Sequence, residues 1–135
     1  MKLQKGYQKL LEEAEKVVEA VDVNDAMEML GRDDVVFVDI REIQELQREG
    51  MVPDAFHAPR GLLEFWVDPD CSYYKEELTS GKNLVLYCSL GWRSALAAKS
   101  LMEMGVANVK HMAGGIKMWK QLGGTVQEKK KKSPK

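Results

Sequence analysis

At 135 residues, with 44% hydrophobic and 30% charged residues, the chain has the size and apolar content of one soluble globular domain with a single core. Its formal net charge of -1 shows no broad excess of either sign, which argues against nucleic acid or a membrane surface as the main partner. The two cysteines, Cys71 and Cys88, form no CxxC pair and have no cysteine/histidine zinc spacing, so neither a metal centre nor a disulfide scaffold is supported.

The N-terminal stretch "MKLQKGYQKLLEEAEKVVEAV" is broken by charges every few residues and holds no apolar signal core or membrane-length run, so a cytoplasmic location is expected. Tyr7, Leu10, Leu11, Ala14, Val17, Val18 and Val21 recur at helical spacing opposite a Glu/Lys face, which predicts an amphipathic helix over residues 7–21. Residues 21–23 suit a short edge strand, and Asn24 offers an N-cap for a brief helix through Leu30 that Gly31 ends. "VVFVDI", residues 35–40, is an apolar, β-branched run of the kind found in strands buried on both faces. A helix over 42–49 stops at Gly50, and "MVPDAFHAPRG" with its two prolines reads as loop with at most a short strand over 55–58.

Residues 62–66 suit either a helical turn or a packed loop, and residues 73–78 a short helix. "TSGKN" marks a turn before a strand over 84–87. Beyond Cys88, residues 94–104 predict a helix with Gly105 as its stop, "ANVKHM" a strand, "AGG" a turn, and 116–122 a last helix closed by Gly123 and Gly124. Met102, Met104, Met112 and Met118 sit at apolar periodic positions and read as core. The basic run over 129–132, with Ser133, Pro134 and Lys135, reads as a solvated tail. Strands alternating with helices make this an α/β chain with a mostly parallel sheet. In such a fold the site lies at the carboxyl ends of strands, where Cys88 and the end of 35–40 both fall.

Between Cys88 and Ser94 lie Ser89, Leu90, Gly91, Trp92 and Arg93, the pattern CxxxxRS. A strand-to-helix loop this short curls around its own first residue, so successive backbone N–H groups converge on the cysteine sulfur as an anion cradle. The N-terminus of the following helix and the charge of Arg93 favour the thiolate of Cys88. Gly91 supplies backbone freedom, and Ser94 is expected to cap the helix with its hydroxyl. A thiolate among amide donors suits a compact electrophile: sulfane-sulfur transfer through a cysteine persulfide, or phosphate or arsenate chemistry through a thiol ester. Loop length separates these, because cysteine-dependent phosphatases carry CxxxxxR, one residue longer, around a tetrahedral oxyanion. The shorter loop here suits the smaller outer sulfur of a persulfide.

The chain resembles a single-domain rhodanese. The resemblance spans residues 21–124 and rests on "VDIRE", "GMVPDAFHAPRG", "YCSLGWRS" and "GGIKMW" in the family's order. It implies a rhodanese-like fold with a central, mostly parallel five-stranded sheet flanked by helices on both faces. The implied layout is an N-terminal amphipathic helix over 1–20, the domain over 21–124, and a basic disordered tail over 125–135. Cys88 is implied as the nucleophile, taking sulfur from thiosulfate or a persulfide donor and passing it to cyanide or a small or protein thiol. Asp39, Arg41 and Arg60 are implied as supporting residues that brace the site loops. No nucleotide, flavin or metal motif appears in the sequence, so no cofactor beyond the transient persulfide is expected. The family's "PGA" glycine is Asp54 here, and Leu90 and Trp92 replace charged or small loop residues, leaving Arg93 as the loop's cation. That weakens thiosulfate as the natural donor.

Two rivals stand beside the enzyme: a rhodanese-like relay module that meets a protein partner through Leu90, Trp92 and the first helix, and, least favoured, an arsenate reductase or phosphatase. Trp92 either lines the pocket mouth, where it would govern which acceptor enters, or packs against a neighbouring loop. His57 reads as a packing residue and not a general base, His111 as a core or edge residue, and Cys71 as a loop residue without a role, with a resolving thiol or second sulfur acceptor as the alternative.

Overall fold

The computed structural model describes residues 1–131 of the chain. Among these residues there are five strands: β1 (Glu19–Val21), β2 (Val35–Asp39), β3 (Phe56–His57), β4 (Asn83–Tyr87) and β5 (Val109–Met112). They form one sheet in the order β1-β5-β4-β2-β3, and every pairing is parallel. The helices are α1 (Tyr7–Val17), α2 (Val23–Met29), α3 (Ile43–Glu49), α4 (Leu63–Trp66), α5 (Trp92–Glu103) and α6 (Gly115–Gln121).

Side-chain alternation along the strands divides the core into two layers. Val38, Ile40, Leu84, Leu86, Cys88 and Val109 pack with Ala14 of α1, Leu63 of α4, and Ala95, Ala98 and Leu101 of α5. Phe37, Val85, Tyr87 and Met112 pack with Val23 and Ala26 of α2 and with Ile116 and Trp119 of α6. Helices therefore cover both faces, which is why β2 and β4 read as continuous apolar runs. Trp119 is fully buried with its ring edge-on to Phe37 at 5.9 Å, and burial of a side chain this large is worth roughly 3 kcal/mol. Along the chain β2 leads outward to β3 and β4 outward to β5, in opposite directions, so a crevice opens at their carboxyl ends.

Several boundaries differ from the sequence expectation. α1 ends at Val17, and Glu19–Val21 becomes β1, because residues 19–21 gain a parallel ladder with Lys110, His111 and Met112. Asp22, not Asn24, caps α2, its carboxylate accepting the Asp25 N–H at 2.8 Å. Residues 60–66 form a 3-10 turn (Arg60–Leu62) that runs into α4. In place of a helix over 73–78 only Glu76–Leu78 is helical, a 3-10 turn, since the Tyr74 and Lys75 amides donate instead to Cys71 and Trp66 carbonyls. Met112 is buried, whereas Met102, Met104 and Met118 are exposed, because Ala95, Ala98 and Leu101 and Ile116 and Trp119 already form the inward faces there.

The expected tail begins with anchored residues. The Trp119 indole N–H donates to the Thr125 carbonyl at 2.8 Å, and Gln127 and Met51 exchange backbone hydrogen bonds of 2.7 and 2.9 Å. Residues 132–135, the end of the basic run, lie outside the described residues.

Candidate active site

Cys88 directly follows β4, and the chain turns into α5 within three residues. Gly91 makes that turn at φ +99°, a conformation that costs a side-chain-bearing residue free energy. Gly91, not Ser94, is the N-cap, so α5 starts two residues sooner than expected and Trp92, Arg93 and Ser94 form its first turn. The helix reaches back this far because the left-handed glycine closes the turn without a side-chain cap. The Gly91 N–H donates to Cys88 Sγ at 3.2 Å, and Cys88 is 1% exposed. Of the expected ring of amides from Ser89, Leu90, Gly91, Trp92 and Arg93, the Gly91 amide is the one hydrogen-bonded to the sulfur among the described residues.

The loop is pinned from outside by α6. Ile116 N–H donates to the Cys88 carbonyl at 2.9 Å and Lys117 N–H to the Ser89 carbonyl at 3.2 Å. This close approach explains the "GG" of the last motif. Gly115 sits at φ +65°, and a Cβ there would lie 2.6 Å from the Cys88 carbonyl oxygen, closer than atoms pack.

Ser94 is fully buried. Its hydroxyl lies 3.3 Å from the Gly91 carbonyl, 3.6 Å from Cys88 Sγ and 3.0 Å from His111 Nδ1. Sequence reading left His111 as a core or edge residue. Its signal was a polar side chain at an inward position of β5, in register with Leu86 of β4 and Ala20 of β1. Burial holds the His111 pKa below the ordinary histidine value, with Glu15 opposing.

Arg93 does not aim a free guanidinium at the site. It grips Glu45 of α3 with two hydrogen bonds of 2.9 and 3.0 Å, and its side chain is 39% exposed. Arg93 is the main reason that the Glu45 carboxyl titrates below the usual carboxylate range, and Glu45 in turn raises Arg93. Cys88 raises Arg93 as well, though less than Glu45 does, so the loop's cation is shared between the Glu45 carboxylate and the cysteine. Glu45 was missed as a site residue. Its local signal is the capping box with Glu42, whose N–H donates to Glu45 at 2.9 Å.

Asp39 and Arg41 are fully buried at the end of β2. Arg41 donates to Asp39 at 2.7 and 3.0 Å and to the Gly50 carbonyl at 2.7 Å, while His57 Nε2 lies 2.7 Å from the Arg41 carbonyl. The Arg41 guanidinium also lies over the Tyr87 ring at 5.9 Å, which ties the β2 loop to the residue before Cys88. Burial, with Asp39 nearby, pushes the Tyr87 hydroxyl far above its ordinary range, and this hydroxyl accepts the Val52 N–H at 3.0 Å. Arg60 pairs with Glu64, and its N–H holds the Ile40 carbonyl at 2.9 Å.

Trp92 packs on α1, its ring 5.4 Å from that of Tyr7, and is still 53% exposed beside exposed Leu90. Both cysteines are free thiols. Among the described residues no three histidine, cysteine, aspartate or glutamate side chains gather closely enough to ligate a metal ion, and no helix is long and apolar enough to cross a membrane.

Comparison with known proteins agrees with this geometry. A sulfurtransferase of Allochromatium vinosum is 34% identical over 91 residues, covering 67% of this chain and 77% of that protein. The thiosulfate sulfurtransferase GlpE of Coxiella burnetii is 28% identical over 96 residues, 71% of this chain and 81% of that one. A solved structure from Rhodopseudomonas palustris, described as a protein of unknown function and possible tyrosine phosphatase, matches with a TM-score of 0.91 at 40% identity, over 94% of this chain and 98% of its own. The rhodanese-like domain family model matches residues 22–122. With the parallel five-stranded sheet and the cysteine loop at its carboxyl edge, the chain belongs to the rhodanese-like domain family.

Proposed function

We propose that the protein is a cytoplasmic sulfurtransferase that carries sulfane sulfur on Cys88. The observation that carries the reading is the Gly91 N–H held 3.2 Å from Cys88 Sγ at the head of α5, in a loop with only four residues between Cys88 and Arg93. In the first half-reaction the Cys88 thiolate attacks the sulfane sulfur of the donor, an S–S bond forms, and the donor's own bond to that sulfur breaks. With thiosulfate, sulfite leaves with the electron pair; with an organic persulfide, a thiolate leaves. In the second half-reaction a thiol or cyanide attacks the outer sulfur, and the Cys88 thiolate departs with its electrons. The Gly91 N–H and the first turn of α5 stabilise the sulfur anion at both stages.

The Arg93–Glu45 pair bears on the donor. A guanidinium already satisfied by a carboxylate holds a dianion such as thiosulfate less well than a free one, which supports a persulfide donor. The description of the Rhodopseudomonas palustris protein raises phosphoryl transfer for this chain too. The short loop and the occupied Arg93 count against it, since a phosphate needs a wider ring of donors and a free guanidinium. A relay module with little turnover on small donors is the second reading, supported by exposed Trp92 and Leu90 beside the cysteine loop.

The test is steady-state thiocyanate release from cyanide with thiosulfate and, separately, a glutathione-type persulfide as donor. Turnover that is abolished in Cys88→Ser is expected, faster with the persulfide. Undiminished turnover in Cys88→Ser defeats the proposal, and Cys88-dependent hydrolysis of an aryl phosphate would favour the phosphatase instead.

A further inference from the structure

The Ser94 hydroxyl has one proton and three neighbours. Its oxygen lies 3.6 Å from Cys88 Sγ, 3.0 Å from His111 Nδ1 and 3.3 Å from the Gly91 carbonyl. When Cys88 is a thiol, S–H donates to Ser94 Oγ and the hydroxyl donates onward, best to the nearer His111 Nδ1. When the sulfur is an anion, it has nothing to donate and gains from a second donor beside the Gly91 N–H at 3.2 Å. If the hydroxyl turns to the sulfur while Nδ1 is bare, Nδ1 loses its partner; if Nδ1 carries the proton it donates to Ser94 Oγ, and all three groups stay paired. An imidazole can do both, because its two neutral tautomers exchange the roles of Nδ1 and Nε2.

We infer that His111 is a positioning residue for Cys88: it changes tautomer as Cys88 ionises and thereby turns the Ser94 hydroxyl into a donor to the sulfur anion. The inference rests on the reading of Cys88 as the nucleophile. The protons balance as follows. The thiol proton becomes the Ser94 hydroxyl proton, the former hydroxyl proton becomes that of Nδ1, and the Nε2 proton passes to water. One proton is released and no bond except those to hydrogen changes.

The surroundings of His111 suit this role. It is 5% exposed. Among the described residues no fully buried side-chain nitrogen or oxygen lacks a partner, and Nε2 makes no hydrogen bond to them, so Nε2 keeps contact with solvent and has an exit for its proton. Burial keeps the ring neutral at neutral pH, as the two-tautomer scheme requires. Ala20 of β1 and Leu86 of β4 flank it in register, Ser94 of α5 bonds it, the Glu15 carboxylate of α1 acts on it through charge alone, and on the cysteine side the charged group is Arg93, which is also paired with Glu45. On its own strand, Lys110 is engaged by Asn83 and Glu19.

The experiment follows Cys88 alkylation by iodoacetamide against pH, in a Cys71→Ser background, together with ring nitrogen shifts of His111 by NMR. His111→Leu and Ser94→Ala should each move the alkylation midpoint up by about one pH unit and slow the reaction at neutral pH about tenfold, the size of one charge-assisted hydrogen bond. Each should keep the alkaline plateau, and the double variant should be no slower than either single one. His111→Asn, whose amide can also donate to Ser94, should restore most of the shift. In the wild type, the ring should pass from the Nε2–H to the Nδ1–H form through the alkylation midpoint, and Cys88→Ser should show no such change. A ring that keeps one tautomer throughout, or a Ser94→Ala profile that overlays the wild type, overturns the inference. Neither readout needs sulfur to be transferred, so failure of the sulfurtransferase reading and failure of this one are separately visible.

Discussion

Gly115→Ala is the sharpest probe of how the cysteine loop is held. Gly115 sits at φ +65°, and an alanine in that left-handed region costs about 1 kcal/mol. Its methyl carbon would lie 2.6 Å from the Cys88 carbonyl oxygen, and because that atom is backbone, the loop itself must retreat. Retreat breaks the bonds from Ile116 N–H to Cys88 (2.9 Å) and from Lys117 N–H to Ser89 (3.2 Å), each worth about 1 kcal/mol. The total is about 3 kcal/mol, a large share of the roughly 5 to 15 kcal/mol that holds a domain together. Gly31→Ala is the control: it has φ +85° but nothing within 4 Å of its Cβ position, so it should cost about 1 kcal/mol. Urea denaturation followed by tryptophan fluorescence measures both, and iodoacetamide alkylation reports whether the Gly91 N–H still meets the sulfur. If Gly115→Ala matches Gly31→Ala in stability and keeps wild-type alkylation, the carbonyl clamp is not what shapes the loop.

Other perturbations address the supports around the loop. Asp39→Ala leaves the fully buried Arg41 with only the longer 3.4 Å carboxylate contact to Glu49 and should cost about 3 kcal/mol in denaturant unfolding; a loss under 1 kcal/mol would show that the pair is dispensable. Glu45 titrates below its unfolded value, so its pairing with Arg93 stabilises the fold above roughly pH 4 and is lost as pH falls through the folded-state value. Glu45→Gln should therefore be about 1 kcal/mol less stable at neutral pH, allowing for the exposure of Arg93, with the gap closing in acid. A gap that is constant with pH would contradict that account. A double-mutant cycle on Tyr7→Ala and Trp92→Ala should give a coupling of about 1 kcal/mol in unfolding, and zero coupling would mean that α1 does not brace the cysteine loop through this pair.

What the sequence made legible follows from how local each signal is. β2 and β4 were visible as apolar runs because strands buried on both faces carry no polar alternation. The cysteine loop was visible because the turn into α5 leaves its mark in adjacent residues, Cys88 to Ser94. The start of α5 was not, since Ser94 has the residue type of a cap and only the backbone angle of Gly91 shows that the helix has already begun. The identity of Arg93's partner was hidden for a different reason: Glu45 lies on α3, and nothing in the loop's sequence names an acceptor so far along the chain. His111 was the same kind of omission. Strand periodicity turns it inward, but only the crossing of β5 beneath α5 sets it against Ser94.

The central claim is that Cys88 holds the transferred sulfur. Intact-protein mass after incubation with a low-molecular-weight persulfide, and separately with thiosulfate, tests it directly against Cys88→Ser. A gain of one sulfur atom in the wild type alone, lost on adding cyanide as thiocyanate appears, is the expected result. No gain from either donor, or an equal gain in Cys88→Ser, would contradict it.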